Sequence, residues 1–183
     1  MSDNVTEGPE TDDAKPTASR RLTVVSVAGP SDAGKTTLVE SLCGALSDHR
    51  VATIKSIHHD IEPDTPGTDT HRHRTAGADT VVGITPSLTF EISRGGKGDG
   101  RDSDEETDAL RRSLDRLAAE GYDIVLVEGF GGVPLPTIRF GEATDIAGEV
   151  VGTDADELEK LVATIEALEP IVPSAVTGDG GQA

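Results

Sequence analysis

Gly29-Pro30-Ser31-Asp32-Ala33-Gly34-Lys35-Thr36 is a complete G-x-x-x-x-G-K-[ST] phosphate-binding loop, and its flanks decide the fold. The apolar run Leu22 to Ala28 precedes it, and Thr37 to Leu42 follows with helical spacing. In a strand–loop–helix order the pattern has chemical meaning. Gly29 and Gly34 let the backbone curl, so that several N–H groups face one anion at a helix N-terminus that already favours negative charge. Ser31, Asp32, Ala33 and Thr37 belong to the same expected cradle. Lys35 is expected to reach the β- and γ-phosphates, and the hydroxyl of Thr36 to hold Mg²⁺. The competing interpretation is a glycine-rich turn that only ends a helix. The expected ligand is a nucleoside triphosphate.

A chain of 183 residues suits one domain with a single core. Aromatic residues make up only 2%, so Val, Ile, Leu and Ala must fill that core. The net charge is −18, from 34 acidic and 16 basic residues. Such a surface argues against nucleic acid as a partner, because phosphate binding there needs many exposed cations. It argues equally against anionic membranes. Solubility in a very salty cytoplasm is the simplest reason for the acidity. The lone Cys43 excludes an intrachain disulfide and reads as a small core residue. The first twenty residues are polar and carry no apolar stretch of signal-peptide type, and no run is long enough to span a membrane. A cytoplasmic location is expected.

The pattern divides into a disordered acidic tail (1–20), a nucleotide-binding domain (21–172) and a flexible tail (173–183). Within the domain, the first helix runs to about His49 and a second strand covers Val51–Lys55. A polar stretch over 56–69 leads to a short helix near 70–78. Strands near 80–84 and 87–92 should form an antiparallel hairpin around Pro86. A glycine-rich loop over 94–103 lacks the Gly-Lys-Ser/Thr sequence of a second phosphate loop. Asp104–Glu120 then reads as an amphipathic helix, with Leu110, Leu114 and Leu117 on one face and Ser103 with Glu106 as a capping box. Asp123–Glu128 reads as a buried parallel strand, followed by strands near 137–140 and 147–151 and a helix over 156–168. The fold expected is α/β, a P-loop NTPase three-layer sandwich with a mostly parallel, partly mixed sheet.

Two further constellations carry chemistry. Ile124-Val125-Leu126-Val127-Glu128 resembles a strand that ends in a Mg²⁺-holding acid, although such a carboxylate can simply be solvated. Lys55-Ser56-Ile57-His58-His59-Asp60 and Thr70-His71-Arg72-His73-Arg74 gather four of the five histidines. Three interpretations of this segment stand. His58, His59, Arg72 and Arg74 could bind a phosphate or pterin phosphate beside the nucleotide. His58, His59, Asp60 and His71 or His73 could hold a transition metal. Arg72 and Arg74 could instead form a structural network with nearby carboxylates. Asp60 could orient water at the γ-phosphate or join the Mg²⁺ shell, or it could cap a turn.

These motifs, in this order, resemble the MobB family of molybdopterin-guanine dinucleotide biosynthesis adaptor proteins. The residues that carry the resemblance are Gly29–Thr37, Lys55–Asp60, Asp64 with Pro66, Gly67 and Asp69, Arg72–Arg74 with Ala76-Gly77-Ala78, and Val127–Phe130. It covers about 22–168. The resemblance implies a dimeric, weakly hydrolysing GTP-binding protein that assists a separate guanylyltransferase in joining GMP to molybdopterin. By position, Gly34, Lys35 and Thr36 would bind phosphates and Mg²⁺. Glu128 would be the acid at the strand end, and His58, His59, Asp60, Arg72 and Arg74 would form the family's polar site. The chain departs from the family at Gly131-Gly132-Val133-Pro134, where a Lys usually stands. It also lacks an Asn-Lys-x-Asp guanine reader, and Asp154 or Asp156 is the candidate substitute. A stand-alone P-loop NTPase or small-molecule kinase is the alternative.

Overall fold

The computed structural model describes residues 20–98, 103–143 and 145–178. Seven strands and four α-helices follow in chain order: β1 (Thr23–Ala28), α1 (Lys35–Ala45), β2 (Val51–Lys55), α2 (Asp69–Thr75), β3 (Thr80–Ile84) and β4 (Thr89–Ser93). Then come α3 (Ser103–Glu120), β5 (Ile124–Glu128), β6 (Thr137–Arg139), β7 (Val150–Thr153) and α4 (Leu158–Glu166), and a 3₁₀ turn at Pro173–Ala175.

Five strands make one sheet in the order β2-β5-β1-β6-β7, and every pairing in it is parallel. β1 lies between two neighbours and is buried along its whole length, as a continuous apolar run requires when both faces are covered. Its side chains alternate between two cores. Val24, with Val125 and Val127 of β5, packs under Leu110, Leu114 and Ala118 of α3. Val25 and Val27, with Ile124 and Leu126, pack under Leu42 of α1 and Leu161 and Ile165 of α4. This is the three-layer sandwich. The i, i+4, i+8 spacing of Leu110, Leu114 and Ala118 gives α3 its single buried stripe.

The antiparallel part of the fold is the hairpin. β3 and β4 pair antiparallel at five positions and form a sheet of their own. After β2 the chain leaves the sheet edge through residues 56–68 and α2, which delivers β3 to a satellite layer. Thr85 donates its N–H to the Leu88 carbonyl at 2.8 Å and closes the turn that contains Pro86.

Other boundaries are corrected by packing. Ser103 is the first helical residue of α3, and Glu106 accepts hydrogen bonds from Lys97 and Ser56. The flexible tail expected from residue 173 starts too early. Leu22 and Ile171 exchange hydrogen bonds at 3.0 and 2.9 Å, Pro173 and Val176 are buried, and Val176 joins the α3 core. Cys43 is half-buried at the margin of the other core rather than within it. The tail expected over 1–20 lies outside the described residues except for Arg20, as do 99–102 of the glycine-rich loop and 179–183. Among the described residues no helix is long and apolar enough to cross a membrane.

Candidate functional site

Parallel pairing puts the carboxyl ends of β1, β5 and β2 side by side, which is where open α/β sheets bind ligands. In register, Glu128 sits beside Val27 on one side and Lys55 on the other. The phosphate loop therefore emerges next to Glu128, and Ser56 leaves β2 next to Gly129.

Gly34 has φ +95° and precedes α1 with no side-chain cap, so the first helical N–H groups remain open to an anion. Gly29 lies against β6: a Cβ there would come within 2.5 Å of Phe140 Cβ. Gly129 has φ +95°, and a Cβ there would come within 2.6 Å of Ser56 Cβ. The strand end and the Ser56 corner thus approach as closely as backbone allows. Gly34, Lys35, Thr36, Lys55, His58 and Glu128 line an open cavity of about 490 Å³, with Gly29, Ser31 and Asp32 along its loop side.

Polar atoms converge in that cavity. Lys35 Nζ donates to the carbonyl oxygens of Gly29, at 2.9 Å, and of Pro30. Its ammonium is thereby parked on the loop it serves. The Thr36 hydroxyl lies 3.4 and 3.3 Å from the two Glu128 carboxylate oxygens. Lys55 Nζ donates to Glu128 Oε1 at 2.7 Å. A hydroxyl and a carboxylate held together beside a phosphate cradle are hard oxygen donors of the kind Mg²⁺ takes.

The remaining sequence candidates separate. His58 lines both the loop cavity and an adjoining one of about 720 Å³, whereas His59 and Asp60 line only the second, with Ile57, Ile61 and Lys97. Asp60 is not among the residues that line the phosphate-loop cavity. Arg72 and Arg74 do not enter either cavity, because α2 carries them away from the sheet edge. Arg74 pairs with Glu62, His71 Nε2 lies 3.7 Å from the same carboxylate, and Arg72 pairs with Asp69 at 3.5 Å in solvent. For these arginines the structural network is what the fold contains. Arg74 beside Glu62 holds that carboxyl below its ordinary range. The Thr70 hydroxyl, aided by the Thr65 N–H, does the same for Asp64. Among the described residues no three His, Cys, Asp or Glu side chains gather as a metal site, which removes support from the transition-metal interpretation. Ala33 and Thr37 belong to the loop and to the first turn of α1 but do not line the cavity. Asp156 is committed locally, accepting from Thr153 N–H at 2.8 Å and from Lys160 Nζ at 2.6 Å. Lys160, with help from Thr153, lowers its pKa.

Sequence reasoning passed over Lys97 and Phe140. Lys97 pairs with Glu106 at 2.8 Å, touches the Ser56 hydroxyl and stands 5.8 Å from the centre of the Phe130 ring. Its scarcity was the available signal, since the chain has only five lysines. Phe140, which backs both loop glycines, carried no signal beyond its apolarity.

The family profile described as "Molybdopterin guanine dinucleotide synthesis protein B" matches residues 24–166, most of the chain. The chain belongs to the MobB family. A relative from Methanocaldococcus jannaschii is 37% identical over 109 residues, covering 60% of this chain and 41% of its own length. The Haemophilus influenzae "Molybdopterin-guanine dinucleotide biosynthesis adapter protein" is 32% identical over 120 residues, 64% of this chain and 62% of that protein. The chain thus spans less than two thirds of the length of either MobB relative. The fold is that of the Bacillus subtilis MobB crystal structure: TM-score 0.53 at 24% identity, over 72% of this chain and 77% of that one.

Proposed function

We propose that the chain is a GTP-binding adapter in molybdenum cofactor biosynthesis, serving a separate guanylyltransferase that forms molybdopterin guanine dinucleotide. The observation that carries this reading is the meeting of Lys35, Thr36 and Glu128 in one open cavity at the sheet's carboxyl edge. The open N-terminus of α1 and Lys35 hold the triphosphate, with the ammonium leaving its carbonyl partners to do so. Thr36 and Glu128 are the residues that would hold Mg²⁺, which neutralises charge on the phosphates when bound. Guanine preference rests on the names of the relatives, and molybdopterin is the proposed second ligand.

Hydrolysis is proposed to be weak, because Asp60 is not among the residues that line the phosphate-loop cavity. A homodimer is part of the same reading, since dimerisation would cover the exposed Val82, Ile84 and Leu88 of the hairpin. So are a cytoplasmic setting and a salt-adapted surface.

The test is calorimetric titration of GTP and ATP in Mg²⁺ buffer. GTP should bind more tightly than ATP, and Lys35→Ala should weaken GTP by about 100-fold or more with the circular dichroism unchanged. Equal affinities would end the guanine claim. Single-turnover hydrolysis that accelerates only with molybdopterin and a guanylyltransferase supports the adapter; rapid turnover alone makes the chain a self-sufficient NTPase.

A further inference from the structure

On the far side of Lys55 and Ser56, away from the phosphate loop, lies a third open cavity of about 600 Å³ between the edge of β2, the end of β4 and α3. Its charge is unlike that of the rest of the molecule. The chain carries 34 acidic and 16 basic residues, yet Lys55, Arg94, Lys97, Arg112 and Arg116 line this cavity and, among the described residues, no carboxylate does. The five come from three separate segments, so no local run of sequence accounts for the cluster.

Three of these cations have partners outside the lining. Lys55 pairs with Glu128 at 2.7 Å, Lys97 with Glu106 at 2.8 Å, and Arg116 with Glu91 at 2.8 Å and Glu120 at 3.2 Å. Among the described residues the other two are paired with no carboxylate. Arg94 makes one long hydrogen bond of 3.4 Å to the Arg74 carbonyl, and Arg112 makes no ion pair among the described residues. Two exposed guanidinium groups with no ion pair among the described residues, beside three cations already paired, offer planar donor forks suited to a phosphate. Gly95 and Gly96 at the rim present bare backbone, since a Cβ at either would meet nothing within 4 Å. The floor is apolar, made by Ile54, Leu110, Leu117 and Phe130.

A cationic rim over an apolar floor fits a small molecule with a flat ring and a charged end. A polyanion fits poorly, because the surrounding molecule has a net charge of −18. We propose that this cavity binds an organic phosphomonoester, with the phosphate at Arg94, Arg112 and Arg116 and the ring over Leu110 and Leu117. Lys55 and Ser56 line both this cavity and the phosphate-loop cavity, so the two ligands would sit back to back across one strand end. The site deepens the adapter reading by assigning a place to its second, phosphorylated ligand, and it rests on that reading only for the ligand's identity.

Riboflavin 5′-phosphate is a suitable fluorescent probe, with riboflavin and inorganic phosphate as controls, in anisotropy titrations at saturating GTP and Mg²⁺. The phosphomonoester should bind at least tenfold more tightly than riboflavin or inorganic phosphate. The double variant Arg112→Glu/Arg116→Glu should lose at least tenfold, and Arg112→Gln/Arg116→Gln part of that, with circular dichroism unchanged in both. Lys35→Ala, titrated without nucleotide, should keep the probe affinity while losing GTP, which separates this site from the nucleotide reading. An affinity untouched by both double variants, or equal for riboflavin and its phosphate, overturns the proposal. So does probe binding that GTP abolishes, since the phosphate loop would then be the site.

Discussion

At the residue scale, the glycines of the loop matter for what they keep out. Gly29 leaves no room for a methyl group, because the Cβ of Phe140 would be 2.5 Å away and its carbonyl oxygen 2.8 Å away. Backbone cannot yield as a side-chain tip can. Gly29→Ala is therefore expected to lower stability by about 1–3 kcal/mol and to weaken nucleotide binding in the same variant. Thermal denaturation with and without GTP checks both effects. The contiguous part of this site was legible in the sequence, because a phosphate is held largely by successive backbone N–H groups and those come from adjacent residues. Glu128 was legible once the loop was known. Lys55 was visible as one of five lysines, but its bond to Glu128 depends on β2 lying beside β5. Arg72 and Arg74 misled for the same kind of reason: their types suit phosphate, but they do not line the phosphate-loop cavity.

At the element scale, α2 and the loop before it are held mainly by ion pairs and hydrogen bonds, since none of the residues of α2 is buried. Glu62, tied to Arg74, lies below its ordinary value of 4.5, and Asp64, bonded first by Thr70, below 3.8. A depressed carboxylate stabilises the folded form above its ordinary pKa, and that contribution is lost as pH falls through the folded value. Acidification below those ordinary values should loosen residues 62–75 before the sheet. NMR titration of the two carboxylates and of the α2 amides checks this, and Glu62→Gln should loosen α2 already at neutral pH. The pairs are exposed, so the effect should be local and small. Element types came through in the sequence because buried strands and amphipathic helices have distinct periods. The hairpin's place did not: the short connection through Pro86 says that β3 pairs with β4, not which other sheet the pair avoids.

At the scale of the whole molecule, charge and exposed apolar surface make separate predictions. With a net charge of −18, stability should rise between dilute and molar KCl, as the screening length shrinks from about 10 Å to about 3 Å. Urea denaturation at several salt concentrations measures this, and full stability at low salt would argue against a salt-adapted surface. Ile84 is 80% exposed at the hairpin end beside Leu88. If the hairpin joins two copies, Ile84→Asp should shift light-scattering mass from dimer to monomer without unfolding the chain. The amino-acid sequence by itself determined the phosphate cradle, the layered α/β architecture and the acidic character. Each of these depends on residues near one another in the chain or on totals over it. Only the tertiary structure decided that β5 inserts between β1 and β2, that α2 turns its arginines away, and that five cations from distant segments face one cavity. Those outcomes follow from strand order and helix packing, which minimise exposed apolar area over the whole fold and leave no mark in any short stretch of sequence.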